Sequence, residues 1–283
     1  MKKSVVAIAV IAVLSSALFM LFGCSSGSSA NSSSGAAQRD STASSTAKRL
    51  VIGFDAEYPP YSFKADDGSY TGFDIDLATA AAEANGWTFE AKPIDWDERD
   101  AELESGNITC IWSGFTMEGR EGEYAFSEPY MINEQVVVVR AHSGIEKLDD
   151  LAGKKVITQT SSAAMEVLNG PRADLTATFD GASPQTADDY NDAFLQLDSK
   201  SVDAVACDLS YAAYQISQTG DKYFMIDEPL SVEHYAVGFS LSDEETAKAV
   251  TNTLKALYEE GIVEQLCKKY EDYGLSFTNW VLR

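Results

Sequence analysis

The sequence predicts an α/β protein built as two lobes, with two strands passing between them. One observation is the recurring order of strand, helix and strand, which is typical of a parallel sheet covered by helices. A second is that this order stops at a strand with four consecutive valines, residues 135–140, and then restarts. A third is the similar apolar strand at residues 235–240. An α/β unit inserted between two such strands predicts a hinge with a ligand cleft beside it.

The two hinge strands set the expected boundaries. We expect residues 48–138 and 236–283 to form the first lobe, and residues 139–235 to form the second. The first lobe is discontinuous because the chain leaves it and returns. Residues 1–23 are assigned to an export signal and residues 24–47 to a tether, so neither takes part in the fold.

The first lobe opens with residues 49–54, a short apolar run ended by turn formers, which predicts a buried strand. Residues 58–61 contain paired prolines and must form a loop, and residues 66–68 (Asp-Asp-Gly) predict a hairpin turn. Residues 76–85 predict a helix that ends at Gly86. Three further elements are expected in this lobe: a strand at 87–91, a helix at 96–105 and a strand at 108–115.

The second lobe repeats the alternation. Its expected elements are a helical turn at 148–151, strands at 155–158, near 176–179, at 204–207 and at 223–226, and helices at 163–168, 187–197 and 208–218. After the chain returns to the first lobe, residues 243–258 place Ala247, Val250, Leu254 and Leu257 on one face. That spacing predicts an amphipathic helix that buries its apolar face.

The N-terminus has the organisation of an export signal. Lys2 and Lys3 precede an apolar run at residues 5–22, and the small residue Gly23 stands directly before Cys24. A cysteine in this position resembles the bacterial lipobox, in which the thiol is lipidated and becomes the new N-terminus. The alternative is a transmembrane anchor, since the apolar run is long enough to span a bilayer. Both interpretations place the globular part outside the cytoplasm.

Residues 25–46 consist almost entirely of Ser, Ala, Gly and Thr. Such a stretch buries too little apolar surface to offset its chain entropy, which predicts a flexible tether.

The formal net charge of the chain is −23 at pH 7, and this charge excludes nucleic acid as a partner because phosphate binding needs clustered Lys and Arg. Besides Cys24 there are three cysteines and only two histidines, so we expect neither a disulfide framework nor a metal or other cofactor.

Six stretches at the predicted strand ends resemble one family, the amino-acid-binding receptors of bacterial ABC importers (solute-binding protein family 3). They occur in the family's order and the likeness covers essentially residues 49–283. The stretches are Asp55-Ala56-Glu57-Tyr58-Pro59-Pro60-Tyr61, Gly72-Phe73-Asp74-Ile75-Asp76-Leu77, Asp95-Trp96-Asp97, Ser113-Gly114-Phe115-Thr116 with Arg120 close behind, Phe126-Ser127-Glu128-Pro129-Tyr130, and Asp203-Ala204-Val205-Ala206-Cys207-Asp208.

The resemblance implies the type II periplasmic-binding-protein-like fold, with a central ligand cleft between the lobes. It also implies a monomeric receptor, held by lipid at Cys24 on the outer face of the cell membrane, that captures a polar L-amino acid. The expected partner is an ABC permease in the membrane. Two alternatives remain open: a dehydratase acting on prephenate or arogenate on the same fold, and a ligand-sensing domain.

An amino acid presents a carboxylate, which calls for an Arg fork with N–H and hydroxyl donors, and an ammonium, which calls for a carboxylate. Arg120 is the candidate for the carboxylate, although an arginine near Glu118, Glu121 and Glu123 could also be a surface residue paired with them. The family usually has one more residue between the positions of Thr116 and Arg120. The resemblance further implies that Gly114, through its backbone, and Thr116, through its hydroxyl, help to hold the carboxylate; a tight turn is the alternative for Gly114.

In the second lobe, Ser162 is expected to begin a helix and to meet the carboxylate with its amide and hydroxyl, since helix N-termini favour anions. Asp208 ends a strand and opens a helix, so it could be an N-cap. The resemblance implies instead that Asp208 is the counter-ion of the ammonium. In both cases capping alone is the alternative to ligand binding.

Tyr58 and Trp96 match positions where the family places aromatic walls around the ligand side chain. Three further residues, Asp55, Thr158 and Cys207, are expected to tune specificity, although each also fits a purely structural role. Because this set contains acidic and uncharged side chains, we expect a neutral polar or cationic amino acid. The lack of charge at Thr158 and Cys207 favours a neutral polar one.

Overall fold

The computed structural model describes residues 47–283. The export signal, Cys24 and the tether through residue 46 lie outside the described residues. Within residues 47–283, no helix combines the length and apolar character that a bilayer-spanning helix needs.

The first part of the chain builds most of one sheet and a small three-stranded sheet beside it. Its elements are β1 (Arg49–Phe54), β2 (Glu57–Tyr58), β3 (Ser62–Lys64), β4 (Tyr70–Thr71), α1 (Phe73–Asn85), β5 (Thr88–Pro93), α2 (Arg99–Glu104), β6 (Cys110–Ile111) and β7 (Ala125–Phe126). The helix α1 ends at Gly86, which takes a left-handed conformation with φ 65°, as predicted.

The middle part of the chain builds a second sheet. Its elements are β8 (Met131–Arg140), β9 (Val156–Gln159), α3 (Ala163–Asn169), α4 (Ala173–Thr176), β10 (Gln185–Ala187), α5 (Tyr190–Asp198), β11 (Ala204–Asp208), α6 (Leu209–Thr219), β12 (Tyr223–Met225) and β13 (Ser231–Tyr235). The chain then returns to the first sheet with β14 (Gly238–Phe239), α7 (Glu244–Glu259) and α8 (Ile262–Lys269). Short 3₁₀ helices lie at Trp96–Glu98, Leu148–Leu151, Gly220–Lys222, Glu271–Tyr273 and Phe277–Asn279.

Each lobe has a sheet of mixed direction. In the first lobe the strand order is β5-β1-β6-β14-β7, with β1, β5 and β6 parallel and β14 antiparallel to its neighbours. In the second lobe the order is β10-β9-β11-β8-β12, with β9, β10 and β11 parallel. The parallel strands end in short loops before helices, so their carboxyl ends form the edge where a ligand site is expected.

Two antiparallel strands connect the lobes. Residues 131–135 of β8 pair with β13, from Met131 opposite Tyr235 to Gln135 opposite Ser231. The rest of β8 pairs with β11 and lies inside the second sheet. The hinge therefore precedes the strand predicted at residues 135–140. The four valines of that strand are buried in the second lobe, and the more polar residues before them connect the two lobes.

Several predicted elements differ from the structure. The strand predicted near residues 176–179 is the end of α4 and the turns after it, and the strand that joins the sheet is Gln185–Ala187. Phe179 anchors this region by packing into the core of the second lobe, so tertiary packing overrides the β propensity of the segment. The predicted strand 108–115 is paired only at Cys110–Ile111, since Gly114 turns the chain with φ 54°.

The start of α1 depends on the absence of a side chain at Gly72. This residue has φ 139° and ψ 165°, a conformation that only glycine adopts readily. A Cβ there would overlap the backbone carbonyl of Tyr61, which accepts a hydrogen bond from the Asp74 N–H at 3.0 Å. The space needed by a methyl group is therefore occupied by backbone that cannot move without breaking the start of the helix.

We expect Gly72→Ala to lower the free energy of unfolding by about 3 kcal/mol or more, because backbone strain and steric overlap add. Gly68→Ala is the matched control, since Gly68 also has positive φ (84°) but nothing lies within 4 Å of the added Cβ. The control should lose only about 1 kcal/mol. Urea unfolding followed by circular dichroism measures both changes, and equal losses would contradict the steric argument.

Candidate functional site

A small cavity lies between the lobes. Both sheets contribute to it from the carboxyl ends of their strands or from the loops and helices that follow. Its lining residues are Asp55, Tyr58, Trp96, Ser113, Gly114, Thr116 and Arg120 from the first lobe, and Gln159, Ser162, Ala163, Tyr190 and Asp208 from the second. The structure therefore brings eight of the ten predicted site residues to one cavity.

The other two predicted residues lie close to this space. Thr158 is fully buried at the end of β9, and its Oγ1 lies 3.1 Å from the Oγ of Ser162. Cys207 is fully buried in the hydrophobic core, and burial raises the pKa of its thiol well above the usual value. Their roles in specificity stay predictions.

Arg120 is buried, with only 3% of its surface exposed, and it reaches the cavity although its loop is one residue shorter than is usual. Its Nη1 donates to the Thr116 carbonyl at 3.2 Å, and its guanidinium lies over the Phe115 ring at 4.8 Å. The alternative pairing with Glu118, Glu121 or Glu123 is not what the structure shows. Arg120 instead pairs with a carboxylate of the other lobe.

That carboxylate is Glu166 on α3. Its Oε1 accepts from Arg120 Nη2 at 2.7 Å and from Nε at 3.2 Å. These contacts use the Nε side of the guanidinium, and Thr116 takes one N–H of Nη1, so that one N–H of Nη1 and one N–H of Nη2 remain for another acceptor. The Glu166 side chain is 45% exposed, so the Arg120–Glu166 pair joins the lobes at the rim of the cavity.

Gly114 lines the cavity, and its backbone N–H is already bonded within the protein. That N–H donates to Asp74 Oδ2 at 2.6 Å, and the Tyr130 hydroxyl donates to the same carboxylate, 2.9 Å from each oxygen. The predicted contact of the Gly114 backbone with a ligand carboxylate stays a prediction. Burial of Asp74 raises the pKa of this carboxyl to about 7. A Cβ at Gly114 would lie 2.7 Å from Cε1 of Tyr58, so glycine also keeps the cavity wall open.

Asp208 follows β11 and precedes α6, but its side chain makes no capping hydrogen bond to that helix. Its Oδ1 instead accepts from Asn133 Nδ2 at 2.9 Å, from Gln135 Nε2 at 2.6 Å and from the Tyr235 hydroxyl at 2.9 Å. Asp208 therefore does not act as a side-chain N-cap and lines the cavity, and its role as counter-ion of an ammonium stays a prediction. Burial raises the pKa of Asp208, and the hydrogen bonds from Tyr235 and Gln135 oppose that rise.

A second buried carboxylate, Glu233, was not predicted. Its Oε1 accepts from the same two amides, Asn133 Nδ2 and Gln135 Nε2, each at 2.8 Å, and from Thr116 Oγ1 at 2.8 Å. Burial, followed by the charge of Asp208, raises the pKa of Glu233 to about 7. The Thr116 hydroxyl, predicted to hold a ligand carboxylate, therefore donates to the carboxylate of Glu233.

Tyrosines from both lobes surround Asp208. The Tyr58 ring stacks with Tyr61 (centroids 5.9 Å apart) and, across the cleft, with Tyr211 (6.0 Å). The hydroxyl of Tyr58 lies 2.9 Å from that of Tyr235, which donates to Asp208. The predicted aromatic wall is thus part of a cluster that spans the cleft.

Trp96 forms another wall of the cavity and is half-buried. Its ring meets Phe115 edge to face with centroids 5.8 Å apart, and the Arg99 guanidinium lies 5.2 Å from the Trp96 ring centroid. These contacts fix the orientation of the indole. One face of Trp96 is therefore held by packing while the side chain still borders the cavity.

Asp55 joins the lobes by hydrogen bonding. Its Oδ1 accepts from the Glu57 N–H at 2.8 Å, and its Oδ2 accepts from Gln159 Nε2 at 2.8 Å across the cleft. Glu57 also reaches the second lobe, where its carboxylate accepts from Asn191. Burial is the main cause of a raised pKa at Asp55. Asp55 therefore closes one side of the cavity as well as lining it.

Ser162 caps α3 as predicted, since its Oγ accepts from the Met165 N–H at 3.2 Å. It also lines the cavity, so the cap and the predicted carboxylate contact are compatible. The helix begins at the cavity, and its first N–H groups add partial positive charge there. Ser162 and Arg120 thus approach the cavity from opposite lobes.

Sequence reasoning missed Tyr190, which lines the cavity from the start of α5. Its hydroxyl is buried and has no hydrogen-bond partner within residues 47–283. A buried donor of this kind is completed by a ligand or water. The sequence feature that could have identified Tyr190 is its position directly after Asp189, the residue that caps α5 at the carboxyl edge of the sheet. Ser113, also missed, stands within a stretch that the family resemblance had already marked, and Gln159, missed as well, precedes the predicted site residue Ser162 by three positions.

A wider, acidic space opens beside the cavity and shares Asp55, Trp96 and Gln159 with it. The acidic residues that line it are Asp55, Glu57, Asp95, Asp97, Glu102, Asp188 and Asp189.

Within the part of the chain from residue 47 onward, no group of three or more His, Cys, Asp or Glu side chains has the geometry of a metal site. The arrangement offers an arginine and hydroxyls for a carboxylate, a buried acid for an ammonium, and an acidic mouth beyond them.

Comparison with known proteins agrees with this arrangement. Residues 50–273 match the bacterial extracellular solute-binding proteins, family 3. The chain is 30% identical over 224 residues to the L-cystine-binding protein TcyJ of Escherichia coli (strain K12), an alignment that covers 78% of this chain and 82% of TcyJ.

Solved structures show the same fold. An ABC uptake transporter substrate-binding protein from Streptococcus pneumoniae with bound histidine superposes with a TM-score of 0.77 at 33% identity, over 81% of this chain and 94% of that one. The ancestral amino-acid-binding protein AncCDT-1, a precursor of cyclohexadienyl dehydratase, gives a TM-score of 0.69 at 29% identity, over 78% and 94%. The fold is the two-lobed type II periplasmic-binding-protein-like fold, and this chain belongs to family 3 of the bacterial extracellular solute-binding proteins.

Proposed function

We propose that this protein is an extracytoplasmic receptor that captures a polar L-amino acid and delivers it to an ABC importer. The observation that supports this most is the joint presence of Arg120 and Asp208 at one cavity between the lobes, with eight of the ten predicted residues around it. A zwitterion needs a cation and an anion at a fixed separation, and these two residues supply them from opposite lobes. The relatives that bind cystine and histidine support the same ligand class.

In the proposed complex, Arg120 receives the α-carboxylate through the N–H groups that Glu166 and Thr116 leave free. Ser162, at the start of α3, supplies a hydroxyl and the positive end of the helix from the second lobe. The oxygen Oδ2 of Asp208 accepts the ammonium, because Oδ1 already accepts three hydrogen bonds. Tyr58 and Trp96 flank the ligand side chain.

Ligand binding would favour the closed arrangement. Arg120 belongs to the first lobe, and Ser162 and Asp208 to the second, so a ligand that contacts all three is held fully only when the lobes meet. The hinge strands β8 and β13 connect the lobes, and closure about such strands is the usual motion of two-lobed receptors.

We further propose a lipid anchor at Cys24, a monomeric state and a membrane permease as the partner.

A screen for thermal stabilisation tests the proposal. A ligand that binds only the folded protein raises the free energy of unfolding by RT ln(1 + [L]/Kd), about 2.7 kcal/mol at a concentration one hundred times Kd. We expect at least one of the common L-amino acids, with cystine included, to raise the melting temperature of residues 47–283 strongly. A protein that none of them stabilises would contradict the proposed function.

An enzyme remains the second candidate, because the precursor of cyclohexadienyl dehydratase shares the fold and a buried acid with raised pKa stands beside the cavity. We propose that this chain is a binding protein without catalytic activity. Incubation with prephenate or arogenate, followed by detection of the aromatic product, separates the two. Turnover that is lost in Glu233→Gln would favour the enzyme.

We expect Arg120→Ala and Asp208→Asn each to weaken binding of the tightest amino acid from the screen by about 3 kcal/mol or more. Each change leaves a buried charge of the ligand without its partner. Titration calorimetry measures the loss, and melting of the free protein checks the fold. Arg49→Ala and Asp149→Asn, at exposed positions, serve as matched controls. A variant that binds like wild type removes that residue from the proposed site.

The charge of the ligand side chain gives a second prediction. We expect neutral polar or cationic amino acids such as glutamine, cystine or arginine to bind at least about a hundredfold more tightly than aspartate or glutamate, a gap of about 2.7 kcal/mol. Asp55 and the acidic mouth would repel a second carboxylate in a space with little water. Competition calorimetry with glutamine, arginine, cystine and glutamate tests this, and tight glutamate binding would show that the side-chain pocket is misplaced.

The lipid anchor gives a third prediction. We expect wild-type protein to carry lipid on an N-terminal Cys24, and Cys24→Ala to lose both the lipid and its retention on the membrane. Ser25→Ala is the matched control and should keep the lipid. Mass spectrometry of the native N-terminus is the measurement. An unmodified Cys24 still joined to Gly23 would refute the anchor.

A further inference from the structure

The two buried carboxylates Asp208 and Glu233 lie on opposite sides of one strand. In the second sheet, Asp208 of β11 stands opposite Gln135 of β8. On the other side of β8, Glu233 of β13 stands opposite Asn133. Since Asn133 and Gln135 are two residues apart, they point to the same face of β8. Strand register therefore places two amides between two acids.

The hydrogen bonds follow this register. Each amide NH₂ group has two hydrogens, and in both residues one hydrogen goes to Asp208 Oδ1 and the other to Glu233 Oε1. The four distances lie between 2.6 and 2.9 Å. The two carboxylates are therefore close neighbours that share their donors. We call these four residues, Asn133, Gln135, Asp208 and Glu233, the hinge hub.

The hinge hub holds two acids without a cation. Asp208 is 5% exposed and Glu233 is 2% exposed. Within residues 47–283, neither acid forms an ion pair: the nearby Arg120 pairs with Glu166, and His234 pairs with Glu118. Two negative charges in a buried site with only neutral donors are strongly unfavourable, and a shared proton removes that cost.

The groups that face the hinge hub do not supply the missing charge. From the loop after β6, Thr116 donates a neutral hydroxyl to Glu233, and Arg120 donates Nη1 to the Thr116 carbonyl. Around Asp208 stand the hydroxyls of Tyr58, Tyr190 and Tyr235, and for all three burial raises the pKa well above the usual value, so they stay neutral. On β13 itself, the neighbouring titratable side chain is His234, which is bonded to Glu118.

We propose that Glu233 is a positioning residue of the ammonium site, which holds one proton with Asp208 in the free protein and releases it to solvent when an amino-acid ammonium binds. This inference rests on the proposed function, since it assigns the ammonium to Asp208. The incoming ammonium brings the positive charge that the free hinge hub lacks. With that charge present, both carboxylates are stable as anions, and the amides keep Asp208 Oδ1 fixed while Oδ2 meets the ligand.

The shared proton determines whether ligand affinity rises or falls with pH. The free hinge hub carries the proton at pH values below about 7, the value to which burial and Asp208 raise the pKa of Glu233. Binding below this pH must expel the proton, so affinity falls as the pH falls, by up to about tenfold per pH unit. Above this pH the hub is already ionised and the affinity levels off.

Titration calorimetry tests proton release directly. L-cystine, L-arginine, L-histidine and L-glutamine are compared first, and the tightest binder becomes the probe. Titrations near pH 6 in phosphate and in a zwitterionic amine buffer of much larger ionisation enthalpy give the number of protons released. We expect about one proton from wild type, and an affinity that rises by about tenfold between pH 5.5 and 7. Wild type that releases no proton and binds equally at all pH values overturns the proposal.

Glu233→Gln keeps the size of the side chain and one acceptor oxygen, replaces the other oxygen with an NH₂ donor, and removes the charge. We expect this variant to bind the same probe with no proton release and with affinity independent of pH between about 5.5 and 7. His234→Gln is the matched control, because histidine is the other side chain that changes charge near neutral pH, and it should retain wild-type proton release. Proton release that persists in Glu233→Gln, or is lost only in His234→Gln, overturns the assignment.

One further measurement needs no bound amino acid. Infrared difference spectra of the free protein between pH 5.5 and 8 should contain the carbonyl band of a protonated carboxyl group that Glu233→Gln lacks. If the band is present but none of the common L-amino acids, with cystine included, binds, the proposed function fails and the shared proton stands. If an amino acid binds tightly and the band is absent, the shared proton is refuted while the receptor function stands.

Discussion

The hydrogen bonds that Asn133 and Gln135 make on both sides of β8 are the interaction on which this structure depends. The strand belongs to the second sheet through β11 and to the hinge through β13. The buried NH₂ groups of Asn133 and Gln135 donate to an acid of the second lobe on one side and to an acid of the hinge on the other, and these hydrogen bonds hold both acids in position. One strand thus connects the lobe, the hinge and the binding cavity.

Negative charge accumulates around the cavity without a matching number of cations. Asp55, Asp74, Asp208 and Glu233 are buried, and burial raises the pKa of all four carboxyls, whereas Arg120 is the buried cation that lines the cavity. A fold selected only for stability would avoid such groups, since each desolvated charge is unfavourable. Their concentration around one cavity supports the proposal that a positively charged ligand group binds there.

The lobes meet through contacts that use the same residues as the proposed ligand site. Arg120 bonds to Glu166, Asp55 bonds to Gln159, and Tyr58 stacks on Tyr211. The closed arrangement is therefore partly stabilised by protein contacts alone, and a ligand adds its own contacts to them. The free energy of closure is then shared between the lobes and the ligand, which makes affinity sensitive to residues that never touch the amino acid.

The sequence by itself determined the two α/β lobes, the end of α1 at Gly86 and the residues at the strand ends, because periodicity, turn formers and short motifs are local properties. Only the tertiary structure decided that Gly114 donates to Asp74, that Asp208 leaves its helix uncapped, and that Glu233 joins Asp208. The reason is strand register: the hinge hub comes from β8, β11 and β13, which are far apart in sequence, and no local pattern specifies which of their residues stand opposite one another.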